Sequence, residues 1–208
     1  MSEKGQAAPL YVTAVVGLLL LALMFFAFGQ ADASRNGTQS AADSAALAAA
    51  QESRDQLKGG FLENLLDGDY LRDLFNGDLI GTYDGCQEAS RFAKSNGAES
   101  VSCQQVGDGR WGFTVDVKSK KSMGKSILPG TDKEHAKATA TALVEPKCSF
   151  KPDEDEDGPA DDDKPGDDDE KPAPGKLQCD DRDWVLDPDD GDLLPDMADL
   201  FRVRLAEN

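Results

Sequence analysis

The most constraining feature of the sequence is an uncharged stretch of 27 residues, Gly5 to Ala31. Its apolar part, Ala7 to Phe28, would be about 33 Å long as an α-helix. The hydrocarbon core of a bilayer is about 30 Å thick, and a helix satisfies every backbone group of a single spanning segment. The sequence therefore predicts one transmembrane helix, with leader and span together occupying residues 1–33.

A cleaved secretory signal is the alternative for this segment. Ala31-Asp32-Ala33 fits the small-x-small pattern of a cleavage site, which would release a chain beginning at Ser34. However, the apolar run is longer than the roughly 7–15 residues of a usual signal core, and Lys4 of the leader is offset by Glu3. These features favour a retained anchor.

Charge and cysteine content restrict the functions that the chain can have. It carries 40 acidic and 22 basic side chains, a net charge of −18, which disfavours nucleic acid as a partner. All four cysteines follow the apolar segment, which suits two disulfides in an oxidising compartment. No cysteine pair has CxxC spacing, His135 is the only histidine, and no hydrolase or nucleotide-binding motif occurs. We therefore predict a non-enzymatic protein without metal or cofactor, whose C-terminal bulk lies outside the cytoplasm.

Residues 34–58 are rich in alanine and predict a helical stalk that continues the anchor. Asn36-Gly37 could kink or interrupt this helix. Because alanine lets neighbouring elements approach closely, we expect the stalk to pack against other subunits; a solvated helix is the alternative.

Residues 59–150 predict a small extracytoplasmic α+β domain. Apolar residues recur at helical spacing from Phe61 to Phe75, with a break at Gly68, and a further helix ends near Asn96. About three antiparallel strands follow, with Val101 and Cys103 alternating with serines in the first. The fold class is therefore α+β: a long transmembrane helix, a small helix and an approximately three-stranded sheet, arranged as in pilins by analogy.

Residues 151–176 are predicted to be a disordered acidic linker. Twelve acidic residues and five prolines lie between Lys151 and Gly175, with almost nothing to bury. Asp153, Asp155 and Asp157 begin like a calcium-binding loop, but the position of the bidentate glutamate is occupied by Lys164. We therefore expect cations to associate only loosely with this linker.

Residues 177–208 are predicted to dock back onto the domain. The apolar side chains of Trp184, Val185 and Leu186 would form a short strand there. A final helical turn or two is expected over Ala198 to Leu205.

Four cysteines allow three pairings. Cys86 lies on the apolar face of its predicted helix, and the reversal at Asn96-Gly97 brings it beside Cys103 on the first strand. Cys148 ends the third strand and Cys179 follows the acidic linker, so a bridge between them would return the C-terminal segment to the sheet. We predict the pairs Cys86–Cys103 and Cys148–Cys179.

Two short patterns flank the apolar helix. Gly5-Gln6-Ala7-Ala8 precedes it, and after it come Arg35, Gln39, Ala41, Ala42, Asp43 and Leu47 within an alanine-rich run. These residues resemble the TadE/TadG-like proteins of tight-adherence (Tad/Flp) pilus assembly, in which a similar Arg, Gln and Ala-Ala-Asp…Leu-Ala pattern follows the membrane helix. The resemblance covers about the first 50 residues, with Ser44 replacing an alanine.

The resemblance implies a single-pass, pilin-like protein of the cell membrane that acts through helix packing and an exposed domain. Its implied partners are the membrane and other pilus-assembly or pilin-like subunits. In the pilin-like members that prepilin peptidase processes, the resemblance implies a Gly that is followed five residues later by Glu. In this chain the residue five positions after Gly5 is Leu10. Leader cleavage between Gly5 and Gln6 is therefore left open, and unprocessed TadG-like relatives are the closer match. The alternative function is a membrane-tethered binding module of the cell envelope, with a cation-associating acidic tail.

Overall fold

The computed structural model describes residues 7–77, 83–122, 133–152, 175–180, 182–186 and 194–207. The helices are α1 (Ala7–Glu63), α2 (Gly68–Asn76), α3 (Cys86–Ser95) and α4 (Met197–Leu200). The strands are β1 (Ala98–Gln105), β2 (Gly112–Ser122), β3 (His135–Pro146), β4 (Cys148–Pro152), β5 (Gly175–Cys179), β6 (Asp183–Val185) and β7 (Phe201–Leu205).

One helix of 57 residues, α1, connects the apolar segment to the domain without interruption. At a rise of ~1.5 Å per residue it is about 86 Å long. It continues through Asn36 and Gly37, where the sequence indicated a possible kink. Extending an existing helix costs much less than starting one, so the alanine-rich residues that follow carry the helix through this glycine. The apolar segment and the domain are therefore joined by a continuous helix.

The main sheet has four antiparallel strands in the order β1-β2-β3-β7, and α1 packs against it. Strands β2 and β3 place their apolar side chains opposite one another on one face of the sheet. The register pairs are Phe113 with Ala142, Val115 with Ala140, and Val117 with Ala138. Small side chains on β3 face an alanine-rich helix, so the two elements pack closely. The predicted α+β arrangement of helices and an antiparallel sheet is confirmed.

Short helices fill the space around the second half of α1. Asp67 caps α2 by accepting hydrogen bonds from the backbone N–H groups of Asp69 and Tyr70. The helix ends at Gly77, whose φ of 83° is readily adopted only by glycine. Helix α3 packs against both α1 and β1.

A second sheet, of order β4-β5-β6, carries the C-terminal part of the chain back to the domain. Leu177 and Leu186 are completely buried in its vicinity, and Met197 and Leu200 of α4 are also buried in the core. The acidic segment leaves from Pro152 and returns at Gly175, which are register partners. Most of the predicted linker, residues 153–174, lies outside the described residues.

Two local predictions are wrong. A bulge between Ser100 and Ser102 interrupts the alternation of β1, so Val101 does not share the inward face with Cys103 and is 64% exposed. The predicted helix over Ala198 to Leu205 is instead one turn, α4, followed by β7. The apolar residues of β7 alternate with arginines at the two-residue period of a strand, and β7 completes the main sheet beside β3.

Candidate functional site

The first half of α1 presents apolar side chains on its whole circumference. Leu10 is 73% exposed and Phe25 is 77% exposed, and the large apolar residues between them are exposed as well. Within the described residues, α1 is the one helix long and apolar enough to cross a membrane, by length and composition. An apolar helix surface of this length is unfavourable in water, so this segment is the first candidate for contact with lipid or with other apolar helices.

The second half of α1 is buried by the chain's own domain. Ala41, Ala42, Ala45, Ala46, Ala49 and Ala50 have no exposed surface. The expectation that this alanine surface contacts other subunits is therefore wrong for these faces, which the sheet and α3 already occupy. The alanines permit close packing as predicted, but within the molecule.

The close approach of α3 to α1 depends on small residues from both elements. A Cβ added at Gly85, the residue before α3, would overlap the backbone carbonyl of Ala49. At the other end of α3, the Asn96 side-chain amide donates to Ser44 Oγ at 3.0 Å. Ser44 is the residue that departs from the alanine of the resembled pattern, and in this chain it binds the end of α3.

Structurally, the residues that carry the resemblance attach α1 to the sheet. Gln39 Nε2 donates to Asp43 Oδ1 at 2.8 Å and to the Thr139 carbonyl oxygen of β3 at 3.2 Å. Ala41 and Ala42 are buried, Leu47 is partly buried against the core, and Arg35 is exposed one turn before the domain. The structure thus brings Gln39 and Asp43 together but leaves Arg35 apart from them. Gly5 and Gln6, the open cleavage position, lie outside the described residues.

Two disulfides reinforce the domain, at the pairs expected from the sequence. Cys86–Cys103 joins α3 to β1, and Cys148–Cys179 joins β4 to β5. They close chain segments with sequence separations of 17 and 31 residues. Both bridges are structural, because each fixes two secondary-structure elements that the chain connects only through a turn or a long segment.

A groove lies where α1 leaves the domain. It has a volume of about 570 Å³ and lies between α1, the α3–β1 turn and the end of β2. Its lining includes Gln30 and Ser34 of α1 and Lys120 and Lys121 of β2. Lys120 also donates from Nζ to the Lys94 carbonyl oxygen at 3.1 Å, which holds this side chain at the groove. The groove is therefore lined by lysines next to the end of the apolar helix segment.

A charged cluster covers part of the sheet at β3 and β7. Glu145 accepts hydrogen bonds from Arg204 Nε and Arg202 Nε, each at 3.0 Å. Hydrogen bonding to Arg204 and then to Arg202 holds the pKa of Glu145 below its ordinary value, in opposition to partial burial. These ion pairs join the C-terminal strand to the sheet. The helix expected over Ala198 to Leu205 does not predict these ion pairs, although the alternation of Arg202 and Arg204 with apolar residues is a strand pattern.

A second carboxylate on the sheet is held by hydroxyl groups. Ser102 Oγ and Thr139 Oγ1 each donate to Asp116, and these hydrogen bonds lower its pKa. Asp116 thereby links β1 and β3 across β2. Its hydrogen-bond partners are neutral hydroxyl groups, which stabilise the ionised carboxylate. Such a set of groups is not typical of a proton-transfer site.

The residue types typical of enzyme and metal sites do not converge in the part of the chain that the structure describes. His135 Nδ1 lies 2.7 Å from the Ser119 carbonyl oxygen, at the β2–β3 pairing. Among the described residues no group of three or more His, Cys, Asp or Glu side chains could hold a metal ion. The calcium-like sequence at Asp153, Asp155 and Asp157 lies outside the described residues.

Comparison with protein families gives a match over the N-terminal part of the chain. Residues 5–52 match the model of the Tad family, described as "Putative Flp pilus-assembly TadE/G-like". This confirms the N-terminal resemblance and covers the apolar part of α1 together with the alanine-rich part that packs on the sheet. No curated protein and no solved structure matches the chain significantly, so the pilin-like architecture stays a prediction.

Proposed function

We propose that the chain is a membrane-anchored, non-enzymatic component of a Tad-type (Flp) pilus-assembly system. The observation that carries this proposal is the family match over residues 5–52, which coincides with the exposed apolar helix and its attachment to the domain. The match also favours the assembly role over a tethered envelope-binding module.

In this proposal the apolar half of α1 spans the membrane once. Lipid, or other transmembrane helices, would cover the side chains that are exposed between Leu10 and Phe28. The second half of α1 is a core element of the domain, so the domain is held on a continuous helix at the membrane surface. Interactions with other subunits would then use the transmembrane surface and the outer faces of the domain.

The domain would lie on the extracytoplasmic side. Two disulfides support this orientation, because such bridges persist in oxidising compartments and are rare in the reducing cytosol. The role is structural: the domain contributes a fixed surface to an assembly.

Membrane fractionation tests the anchor. We expect the full-length chain to stay in the membrane fraction after washing with high salt and alkaline carbonate. The hydrophobic effect keeps an apolar helix of this length in the bilayer, and these washes remove proteins that are bound only by charge. A soluble mature protein beginning at Ser34 would contradict the proposal.

Protease protection tests the orientation. In intact spheroplasts, added protease should reach the domain, whereas a cytoplasmic marker protein should remain intact. A domain that is digested only after the spheroplasts are lysed would place it on the cytoplasmic side and overturn this part of the proposal.

A further inference from the structure

Lysines are concentrated at the edge of the domain from which α1 emerges. This basic edge is formed by the ends of α3, β2 and β3. It consists of Lys94, Lys118, Lys120, Lys121, Lys133 and Lys137. Lys118 and Lys137 are register partners on β2 and β3, and Lys120 contacts the backbone of Lys94. Three different chain segments are therefore needed to bring these charges together.

The basic edge lies at a defined height along α1. Lys120 and Lys121 line the same groove as residues Gln30 to Thr38 of the helix. Phe28, the last residue of the apolar run, is two positions before Gln30 and ten before Thr38, or about 3 and 15 Å along the axis. The headgroup layer of a bilayer is about 5–8 Å thick on each side. With Phe28 at the hydrocarbon boundary, these lysines lie at the headgroups or immediately outside them.

The charge of the basic edge is opposite to that of the whole molecule. Residues 94–99, 118–122 and 133–137 contain six lysines and two glutamates, a net of +4, in a chain whose net charge is −18. The acidic pole lies at the other end of the domain. There Pro152 lies beside Glu63 at the end of α1 and beside Asp67 and Asp69 at the start of α2. Residues 34 and 63 are about 44 Å apart along the helix, several Debye lengths at physiological salt.

We propose that the basic edge binds the headgroups of anionic phospholipids, an inference that rests on the proposed membrane anchor. Lysine ammonium groups are compact charges that attract phosphate, and basic side chains next to a membrane segment bind anionic headgroups. Because the lysines lie on one side of α1, this contact would fix the rotation and tilt of the domain relative to the membrane. The acidic pole would be held away from the same surface by repulsion.

Lysine footprinting of the full-length chain tests this contact. The chain is reconstituted in nanodiscs of phosphatidylcholine alone or mixed with phosphatidylglycerol, and its insertion is checked by flotation after an alkaline wash. We expect acylation of Lys120 and Lys121 to be about threefold slower or more in the anionic discs, because bound headgroups would cover their ammonium groups. Lys151 and Lys176, which are exposed register partners near the acidic pole, should react equally in both.

A pair of charge-reversal variants separates contact from overall charge. Lys120→Glu/Lys121→Glu and Lys151→Glu/Lys176→Glu change the net charge by the same amount. The first should abolish most of the lipid-dependent slowing at Lys118 and Lys137, and the second should leave it intact. Equal effects of both variants would contradict a local lipid site.

The remaining outcomes are also decisive. If excess inorganic phosphate slows acylation in phosphatidylcholine discs as much as phosphatidylglycerol does, the edge binds soluble anions and the lipid proposal is overturned. If the chain is inserted but Lys120 and Lys121 react equally in both discs, the lipid proposal fails while the anchor stands. If the chain does not float with lipid after the alkaline wash, the anchor itself fails and the lipid contact with it.

Discussion

The absence of a side chain is required at Gly85 but not at Gly37. Gly85 lies against the backbone of Ala49, where an added Cβ would overlap a carbonyl group that cannot move without moving α1. Gly37 is exposed within α1, and an added Cβ would meet nothing within 4 Å. The packing of α3 on α1 therefore requires the first glycine, whereas the helix only tolerates the second.

Substitution of these glycines by alanine gives the first prediction. Gly85→Ala should reduce the free energy of unfolding by about 1–3 kcal/mol, the usual cost of overpacking. Gly37→Ala, the matched control, should be neutral or stabilising by up to about 1 kcal/mol because alanine is the better helix former. Urea unfolding of the full chain in detergent, followed by fluorescence of the buried Trp111, measures both. Equal stabilities would show that α3 is not packed tightly on α1.

Glu145 gives a prediction of pH dependence. Its pKa is lower in the folded chain than in the unfolded chain, so the unfolded chain binds more protons and stability rises with pH. The contribution is fully present above the unfolded pKa of about 4.3 and is lost as the pH falls through the lower folded value. The free energy of unfolding of Glu145→Gln should therefore fall less than that of the wild type between pH 7 and about pH 3. Glu63→Gln, on a carboxylate at the other pole of the domain, is the control and should follow the wild-type curve.

At the scale of secondary-structure elements, β4 and β5 show how the domain accommodates the acidic segment. Pro152 and Gly175 are register partners at the end of the β4–β5 pair, and Cys148–Cys179 fixes the opposite end of the same pair. The chain between Pro152 and Gly175 therefore leaves and returns at one point. The two strands are held together by their own ladder and by the disulfide.

Replacing residues 153–174 by Asn-Gly tests this independence. An Asn-Gly turn favours a two-residue hairpin, which is the connection that register partners need. We expect the unfolding midpoint of the shortened chain to be equal to or higher than that of the wild type, since a shorter connection costs less closure entropy. A pronounced fall in the midpoint would show that the acidic segment contributes to the folded core.

At the scale of the whole molecule, charged groups and one disulfide are distributed unevenly along the axis of α1. The basic edge is next to the apolar half of the helix, and the acidic pole and the Cys148–Cys179 bridge are near its other end. With the proposed membrane anchor, this arrangement would give the molecule an inner and an outer pole. A reducing compartment would remove both bridges and leave the small domain with less support.

The corresponding prediction concerns disulfide mapping of the protein isolated without reducing agents. Non-reducing peptide maps should contain Cys86 linked to Cys103 and Cys148 linked to Cys179, and maleimide should label neither pair before reduction. By loop length the bridges should contribute about 3 and about 4 kcal/mol to stability, so Cys148→Ser/Cys179→Ser should be the more destabilising of the two double variants. Linkage of Cys86 to Cys148 would refute the pairing, and four free thiols would argue against an oxidising compartment.

The sequence by itself determined the features that depend on nearby residues. The length and polarity of the apolar run predicted the candidate membrane helix, and hydrophobic periodicity predicted the antiparallel strands from Trp111 to Val144. The Gln39…Leu47 pattern indicated the family that residues 5–52 match. Each of these features is local, because helix and strand periodicity and the fit to a bilayer are set by residues within a short window.

Tertiary structure decided the features that depend on distant residues. The alanine-rich half of α1 packs against the sheet and α3 of its own domain. The sequence could not predict this, because alanine is equally suited to contacts within a molecule and between molecules. The strand Phe201–Leu205 needed β3 as a partner, because five residues gain a strand's hydrogen bonds only from a neighbour. The basic edge combines lysines from segments as far apart as Lys94 and Lys137, and in a chain of net charge −18 only the fold brings them together.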